Sequence, residues 1–192
     1  TNTYGNTTVS AGTLSVANDN NLGFTQITLA SGTTLAVTGS TTIDNGITLT
    51  GAATISNTAN VTIDGVISGG HNLTKAGAGV LTLARDNTYA ATNVDAGTLR
   101  VSSDSNLGSD AITLAAGTTL AINGATTIDN AIALTGAATI SSTANATIDG
   151  VISGAHNLTK TGSATLTLAA SNTYSGNTIV SAGGLTLTGG SS

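Results

Sequence analysis

The sequence predicts an all-β protein that folds as a right-handed parallel β-helix, or β-solenoid, of about eight to nine coils. Three observations indicate this fold class: a composition of small residues, short runs in which apolar and polar residues alternate, and an internal repeat of constant length. We expect residues 1–192 to form a single β-helix segment, with repeat units at 2–86 and 87–171 and a partial unit at 172–192.

The composition predicts a narrow core. Aromatic residues make up 2% of the chain and charged residues 7%, whereas about a quarter of an average globular protein is charged. The 39% of hydrophobic residues are mainly Ala, Leu, Ile and Val, which can fill a thin, stacked core but not the interior of an ordinary enzyme. The net charge of -5 and only four basic residues argue against nucleic-acid binding, because no basic patch can form.

Short segments with apolar residues at alternate positions predict the strands. Leu14, Leu35 and Ile55 are spaced by about 20 residues, which is the length expected for one coil of a β-helix. The spacing predicts about four coils in each repeat unit, and no helix is expected. The predicted strands of the first unit are 13–16, 27–29, 35–37, 47–49, 53–55, 61–63 and 80–83.

The repeat itself is marked by Asn2-Thr3-Tyr4, which recurs at Asn87 and at Asn172, each time after 85 residues. Roughly two-thirds of the positions match between the first two units, without insertions. We expect the tyrosines to pack over a corner with the hydroxyl in water, and the asparagine amides to satisfy backbone groups there. The predicted structural motif comprises Asn2, Tyr4, Gly12, Leu14, Asn87, Tyr89, Gly97, Leu99, Asn172, Tyr174, Gly183 and Leu185.

Polar residues that could carry chemistry are explained better as turn residues. All nine acidic residues are Asp, and most stand beside Asn, Gly or Ser, as in Asp64-Gly65, so turns are favoured over calcium sites. His71 and His156 are one repeat apart and are expected to be solvated turn residues rather than ligands of one metal. We therefore predict no catalytic, cofactor or metal site, and no enzymatic activity.

The segment Gly77–Leu83, followed by Asn87-Thr88-Tyr89 and then by Val94–Val101, resembles the autotransporter-associated β-strand repeat of type V secreted passenger domains. A second copy occupies 162–185, and a truncated copy begins at Thr1 and runs to Leu14. Two departures from the pattern leave the apolar positions unchanged: Gly184 stands where the other copies have Thr, and Ala90-Ala91 stands where the last copy has Ser-Gly.

The resemblance implies an extracellular structural or adhesive rod on the bacterial surface, anchored in the outer membrane through a C-terminal β-barrel of the parent protein. The barrel is not among these residues, and neither a signal peptide nor a membrane span is expected in them. The implied partners are a host surface or identical molecules on neighbouring cells. Sequential folding of the repeats would help drive secretion, and the absence of Cys suits export of an unfolded chain.

Two other functions remain open from the sequence. The chain could be a pure spacer that carries a functional domain elsewhere in the parent protein, or an ice-binding β-solenoid. The second is suggested by the Thr-x-Thr triplets Thr48-Leu49-Thr50 and Thr165-Leu166-Thr167. Whatever its function, a β-helix segment exposes unpaired strand edges at its ends, so end-to-end self-association is expected.

Overall fold

The alternating runs form short parallel strands because each run of Thr, Val, Ile or Leu is soon followed by turn residues. The computed structural model describes residues 2–190, and in them 24 strands of two to five residues form a solenoid of about nine coils. Every strand pairing in it is parallel, so the predicted parallel β-solenoid is confirmed. Thr1, where the first motif copy begins, and Ser191 and Ser192, where the predicted partial unit ends, lie outside the described residues.

A regular coil contributes one strand to each of three faces. Face 1 contains β1 Thr7–Val9, β3 Ile27–Leu29, β6 Ile47–Leu49, β9 Ile67–Ser68, β16 Thr127–Ile128, β19 Ala146–Ile148, β22 Thr165–Leu168 and β24 Gly184–Leu187. Face 2 contains β2 Thr13–Val16, β4 Thr34–Val37, β7 Ala53–Asn57, β10 Leu73–Ala76, β12 Thr92–Val94, β14 Ile112–Leu114, β17 Ile132–Leu134 and β20 Ile152–Ser153. Face 3 contains β5 Thr41–Ile43, β8 Val61–Ile63, β11 Val80–Leu83, β13 Thr98–Val101, β15 Thr119–Ile122, β18 Ala138–Ser142, β21 Leu158–Thr161 and β23 Thr178–Val180.

The register follows the coil length that the sequence predicts. Leu14 pairs with Leu35, and Leu35 pairs with Ile55, so the predicted spacing of one coil is confirmed. Because side chains alternate across a strand, every second residue points inward and stacks on its equivalent in the next coil. In β3, for example, Ile27 stacks on Ile47 and Leu29 on Leu49. Leu, Ile and Val fill the resulting axial core, and burial of each such side chain contributes about 1.5–3 kcal/mol.

The 85-residue unit covers four and a third coils, where the sequence predicts about four. Strand β2 lies on face 2, its equivalent β13 lies on face 3, and the third equivalent, β24, lies on face 1. Each repeat unit is therefore turned about the solenoid axis by one face relative to the unit before it. The predicted spacing of strands within a unit is confirmed, but the sequence does not show how many faces a unit crosses.

The eleven strands β2–β12 account for three and two-thirds coils of the unit, and two segments that each cross a face without forming a strand add the remaining two-thirds. One is the Asn-Thr-Tyr segment, and the other is a single 3₁₀ turn, Asp19–Asn21 in the first unit and Asp104–Asn106 in the second. In the second unit they stack on each other, since the backbone N–H of Asn87 donates to the carbonyl of Ser105 at 2.8 Å. The 3₁₀ turns are short exceptions to the prediction that the chain has no helix.

Candidate contact surfaces of the rod

Rows of hydroxyl side chains run along the outside of the solenoid. On face 2, Thr13, Thr34, Thr54 and Thr74 pair in register from one coil to the next. We call this row the first threonine ladder. The same face continues with Asn93, Thr113, Ala133 and Ser153, so it presents small uncharged side chains over eight rungs.

The second unit carries an equivalent row on another face. Thr98, Thr119, Thr139 and Thr159, the second threonine ladder, pair in register on face 3. Its members lie 85 residues after those of the first ladder. The change of face is a direct result of the four and a third coils in each unit, so one chain presents the same surface in two directions.

Charge is confined almost entirely to the corners between the faces and to the 3₁₀ turns. None of the nine Asp residues lies within a strand, and the only charged side chain at an outward strand position in the described residues is that of Arg100. At one corner the Asp19 carboxylate accepts a hydrogen bond of 3.2 Å from the backbone N–H of Asp44. One coil further, Arg85 forms an exposed ion pair with Asp64 at 3.0 Å. In the described residues the strands of faces 1 and 2 therefore carry no charged outward side chain, face 3 carries Arg100 beside Thr98, and the corners are mostly acidic.

The acidic corners do not form a metal centre. The equivalent pair in the second unit is Asp104 with Asp129, whose backbone N–H donates to the Asp104 carboxylate at 3.1 Å. Partial burial raises the pKa of Asp104, and the negative charge of Asp129 adds to the rise. In the part of the chain that the structure describes, no group of three or more His, Cys, Asp or Glu side chains could hold a metal ion. The Asp residues serve as turn and corner residues there.

The two histidines stand at equivalent positions of the two repeat units and are both exposed. His71 follows β9, and His156 follows β20, so they lie on different corners and four coils apart along the solenoid. This is the placement of solvated turn residues that the sequence predicts.

Two buried lysines occupy core positions that the sequence-based predictions do not include. Lys75 replaces an apolar residue in the core column of face 2, between Ile55 and Val94. Its Nζ donates to three backbone carbonyls, which is the full donor capacity of an ammonium group. Lys160 lies at the equivalent position of the second unit, on face 3. Both side chains are fully buried. The acceptors are Ala76 at 2.7 Å, Gly77 at 2.6 Å and Ala96 at 3.0 Å for Lys75, and Thr161 at 2.5 Å, Gly162 at 3.0 Å and Ala182 at 3.2 Å for Lys160.

The buried lysines complete the corner at which the chain leaves one face for the next. Burial lowers the pKa of Lys75 to about 8 and also lowers the pKa of Lys160. At neutral pH Lys75 is still protonated and binds carbonyls of its own turn together with one carbonyl of the next coil. The available sequence signal was the alternation in Leu73-Thr74-Lys75, which places the lysine on the inward side of β10.

The asparagines of the predicted motif bind backbone groups of neighbouring coils. The Asn87 side chain accepts a hydrogen bond from the N–H of Ile67 at 2.7 Å and donates to the carbonyl of Asn106 at 2.6 Å. Asn172 accepts from the N–H of Ile152 at 2.8 Å. At the N-terminus, the Asn2 amide donates to a carbonyl of the 3₁₀ turn at 2.8 Å. These amides replace strand pairing where the backbone is irregular.

The motif glycines share a left-handed backbone conformation, with φ of 72° at Gly12, 71° at Gly97 and 69° at Gly183. A side chain is disfavoured at such angles, which explains a glycine at each turn. The leucines that follow differ in environment: Leu99 is fully buried, whereas Leu14 and Leu185, in the outermost coils, are half-buried.

The prediction of tyrosines with hydroxyls in water is wrong for Tyr89. Its ring is 0% exposed and its hydroxyl lies 2.9 Å from the Oγ1 of Thr92, inside the solenoid. Tyr174 is half-buried and contacts the hydroxyl of Thr178 at 2.6 Å, while Tyr4 is 45% exposed. Neighbouring coils on both sides bury the interior tyrosine, and the terminal copies lack one of those neighbours.

The depressions in the surface are small. One of about 270 Å³ lies at the C-terminal end, around Tyr174 and Leu187, and one of about 140 Å³ lies beside the exposed Phe24. Small-molecule sites usually enclose about 300–1,000 Å³. The Thr-x-Thr triplets also do not stack into a double row, since Thr48 pairs with Ser68 and Thr165 pairs with Gly184 in the next coil. The described surface is therefore better suited to extended contacts than to enclosure of a ligand.

No helix in the described residues is long and apolar enough to cross a membrane.

Comparisons with known proteins agree with the motif copies. The model of the passenger-associated transport repeat matches residues 1–16, 73–101 and 158–187. The chain is also similar to an adhesin, the BmaC autotransporter of Brucella suis, with 37% identity over 132 residues. That match covers 64% of this chain but only 4% of the adhesin, so the chain corresponds to a small part of its relative. No solved structure matches the chain.

Proposed function

We propose that this chain, which carries autotransporter passenger repeats, is part of an extracellular rod that attaches bacteria to a host surface or to one another. The observation that carries the proposal is the pair of threonine ladders, which lie on faces that carry no outward charge other than Arg100. Such rows offer many hydrogen-bond donors and acceptors at regular spacing. The adhesin named among its relatives supports an adhesive role for the longer protein, and the parent protein would hold the rod at the outer membrane.

The same fold supports sequential folding during export. Each coil pairs mainly with the coils before and after it, so pairing can advance rung by rung from one end. The chain has no Cys that could close a loop before export. Folding outside the cell would bury a new row of Leu, Ile and Val with each coil, and this burial would oppose backward movement of the chain.

Attachment can be tested with beads that carry the complete chain. We expect the beads to clump or to bind host cells and matrix-coated surfaces. A ladder variant with Thr34→Lys, Thr54→Lys, Thr119→Lys and Thr139→Lys should lose this attachment, because four charges interrupt the two neutral ladders.

The matched control adds the same four charges at exposed corner positions, with Phe24→Lys, Val66→Lys, Ser109→Lys and Val151→Lys. It should attach as the parent chain does. Circular dichroism checks that all three proteins are folded. Beads that neither clump nor attach, next to a positive control that does, would contradict an adhesive role for this segment.

A spacer is the second candidate function. It is supported by the small volume of the surface depressions and by the uniform cross-section that repeated coils produce. If the rod only separates a functional domain from the membrane, the ladder variant and the corner variant should leave attachment of the longer protein equally unchanged, whereas deletion of one 85-residue unit should alter its reach.

A further inference from the structure

We propose that the two threonine ladders are docking surfaces for second copies of this chain, and that the one-face rotation between units lets one chain bridge two partners. The inference deepens the proposed adhesive function and rests on it. It is carried by the register of the ladders and by their placement on different faces.

The chemistry of a ladder is complementary to itself. Each threonine hydroxyl can donate one hydrogen bond and accept others, so a row of them can pair with an identical row. A surface that only donated or only accepted could not do so. The net charge of -5 opposes association of two copies, but the Asp side chains stand at the corners and not in the ladders. Two copies can therefore bring their first ladders together without placing like charges opposite each other. In the second ladder Arg100 stands beside Thr98, and the other three rungs carry no charge in their strands.

The spacing of a ladder also favours a second copy. The rungs of paired strands repeat every 4.7–4.9 Å or so, and a partner must repeat at the same distance to match every rung. A second solenoid of this sequence meets that condition along its whole length. The ladder residues are β-branched and half-buried at Thr34, Thr54, Thr119 and Thr139, so little side-chain freedom is lost when they pair.

The rotation determines what such pairing builds. The first ladder lies on face 2 and the second on face 3, so their outward directions differ by about a third of a turn. A partner bound to one ladder leaves the other free for a different partner. Repeats that stayed on one face would allow only side-by-side pairs, whereas rotated repeats allow extended assemblies that join several rods.

A single ladder contact is weak by area. Four rungs cover on the order of 200 Å² per partner from the rung spacing, against about 800 Å² per partner in a stable complex. We therefore expect the free chain to be monomeric at low concentration. Many copies held on one surface would bind strongly through avidity.

Sedimentation velocity of the complete chain at concentrations up to about 1 mM tests the proposal. All proteins carry Ile179→Lys and Leu187→Lys, which place charges on the exposed C-terminal end and suppress end-to-end stacking. The chain with both ladders should form a series of growing oligomers. A face 2 variant, Thr34→Lys with Thr54→Lys, and a face 3 variant, Thr119→Lys with Thr139→Lys, should stop at dimers, and the combined variant should remain monomeric.

Salt provides a second measurement. Raising NaCl from about 0.05 to 0.5 M should leave association through neutral ladders unchanged, whereas contacts made by the charged corners would weaken. The proposal is overturned if the parent chain stays monomeric at the highest concentration, if the combined variant still associates, or if a single-face variant forms oligomers larger than dimers. Chains that remain monomeric but attach to host surfaces would overturn self-docking and leave the proposed adhesive function standing.

Discussion

The interior copy of the repeat motif, 87–101, and the N-terminal copy, 2–16, have similar sequences and similar turns but different neighbours. Tyr89 is fully buried, whereas Tyr4 is 45% exposed. A side chain added at Gly97 would meet backbone oxygens of Gly77 at 2.5 Å and Gly79 at 2.6 Å, whereas one at Gly12 would meet no atom within 4 Å. The comparison shows that the sequence of a unit sets its local conformation, while the preceding coil sets its burial.

The largest effect that separates the two copies is expected from the motif glycines. Gly12→Ala should lower the free energy of unfolding by about 1–2 kcal/mol, the cost of a left-handed backbone for a residue with a Cβ. Gly97→Ala should cost about 3–4 kcal/mol, because it adds contact with the preceding coil to the same backbone strain. Urea unfolding measures both, and equal losses would contradict the role of the coil beneath Gly97.

The buried lysines extend the comparison to the second and third copies. Lys75→Met should lower the free energy of unfolding by about 2 kcal/mol, because three buried carbonyls lose their donor. Lys160→Met should cost less, since one of its three acceptors, Ala182, lies in the outermost coil, where the backbone is exposed to water. Hydrogen exchange at β10 and β21 locates the two losses. A greater loss at Lys160 would show that the last coil is as firmly packed as the interior.

The pH dependence of stability should report on Lys75. Below about pH 8 the lysine is protonated in the folded and the unfolded chain, so it contributes no pH dependence. Between about pH 8 and its ordinary pKa of 10.5, the unfolded chain keeps a proton that the folded chain has released, so stability should rise with pH. Urea midpoints between about pH 7.5 and 9.5 measure the rise.

The rise in stability with pH should end near pH 10. Burial raises the pKa of Tyr89 to about 12, so above about pH 10 the tyrosine ionises in the unfolded chain but not in the folded chain, and stability falls. Lys75→Met should abolish most of the rise below that limit. If stability rises with pH in the Lys75→Met variant as it does in the parent chain, the rise comes from another titratable group.

A smaller effect is expected from the tyrosine hydroxyls. Tyr89→Phe should lower the free energy of unfolding by about 1–2 kcal/mol, because the buried hydroxyl of Thr92 loses its partner. Tyr4→Phe should change it by about 0.5 kcal/mol or less, since the exposed hydroxyl and its backbone acceptor can both bind water. Thermal unfolding of the two variants provides the measurement, and similar losses would mean that Tyr4 is more protected than its exposure indicates.

The smallest effect is expected from an ion pair at a corner of the first unit that the equivalent corner of the second unit lacks. Arg85 pairs with Asp64 in the first unit, while Ala170 stands at the equivalent position next to Asp149 in the second. Arg85→Ala makes the corners alike and should cost about 0–1 kcal/mol, because the ion pair is exposed. The cost should fall further in about 0.5 M NaCl. A loss that salt does not reduce would indicate packing of the arginine stem rather than ion pairing.

Most strands could be predicted from the sequence because alternation is a local property. The segments 13–16, 27–29, 47–49, 61–63 and 80–83 coincide with strands β2, β3, β6, β8 and β11. The core lysines were not predicted, because a charged side chain at an inward position is tolerated only where three carbonyls converge on it. That convergence joins a turn of one coil to a turn of the next, and the two are about 20 residues apart in the chain.

The sequence by itself determined the all-β class, the length of a coil, and the glycine and asparagine turns, because these depend on alternation, spacing and local backbone preference. Only the tertiary structure decided that a unit spans four and a third coils, so that equivalent ladders stand on different faces. The physical reason is that the Asn-Thr-Tyr segment and the 3₁₀ turn each cross a face without a strand pattern. Their contribution to the path of the coil becomes visible only when the coils are stacked.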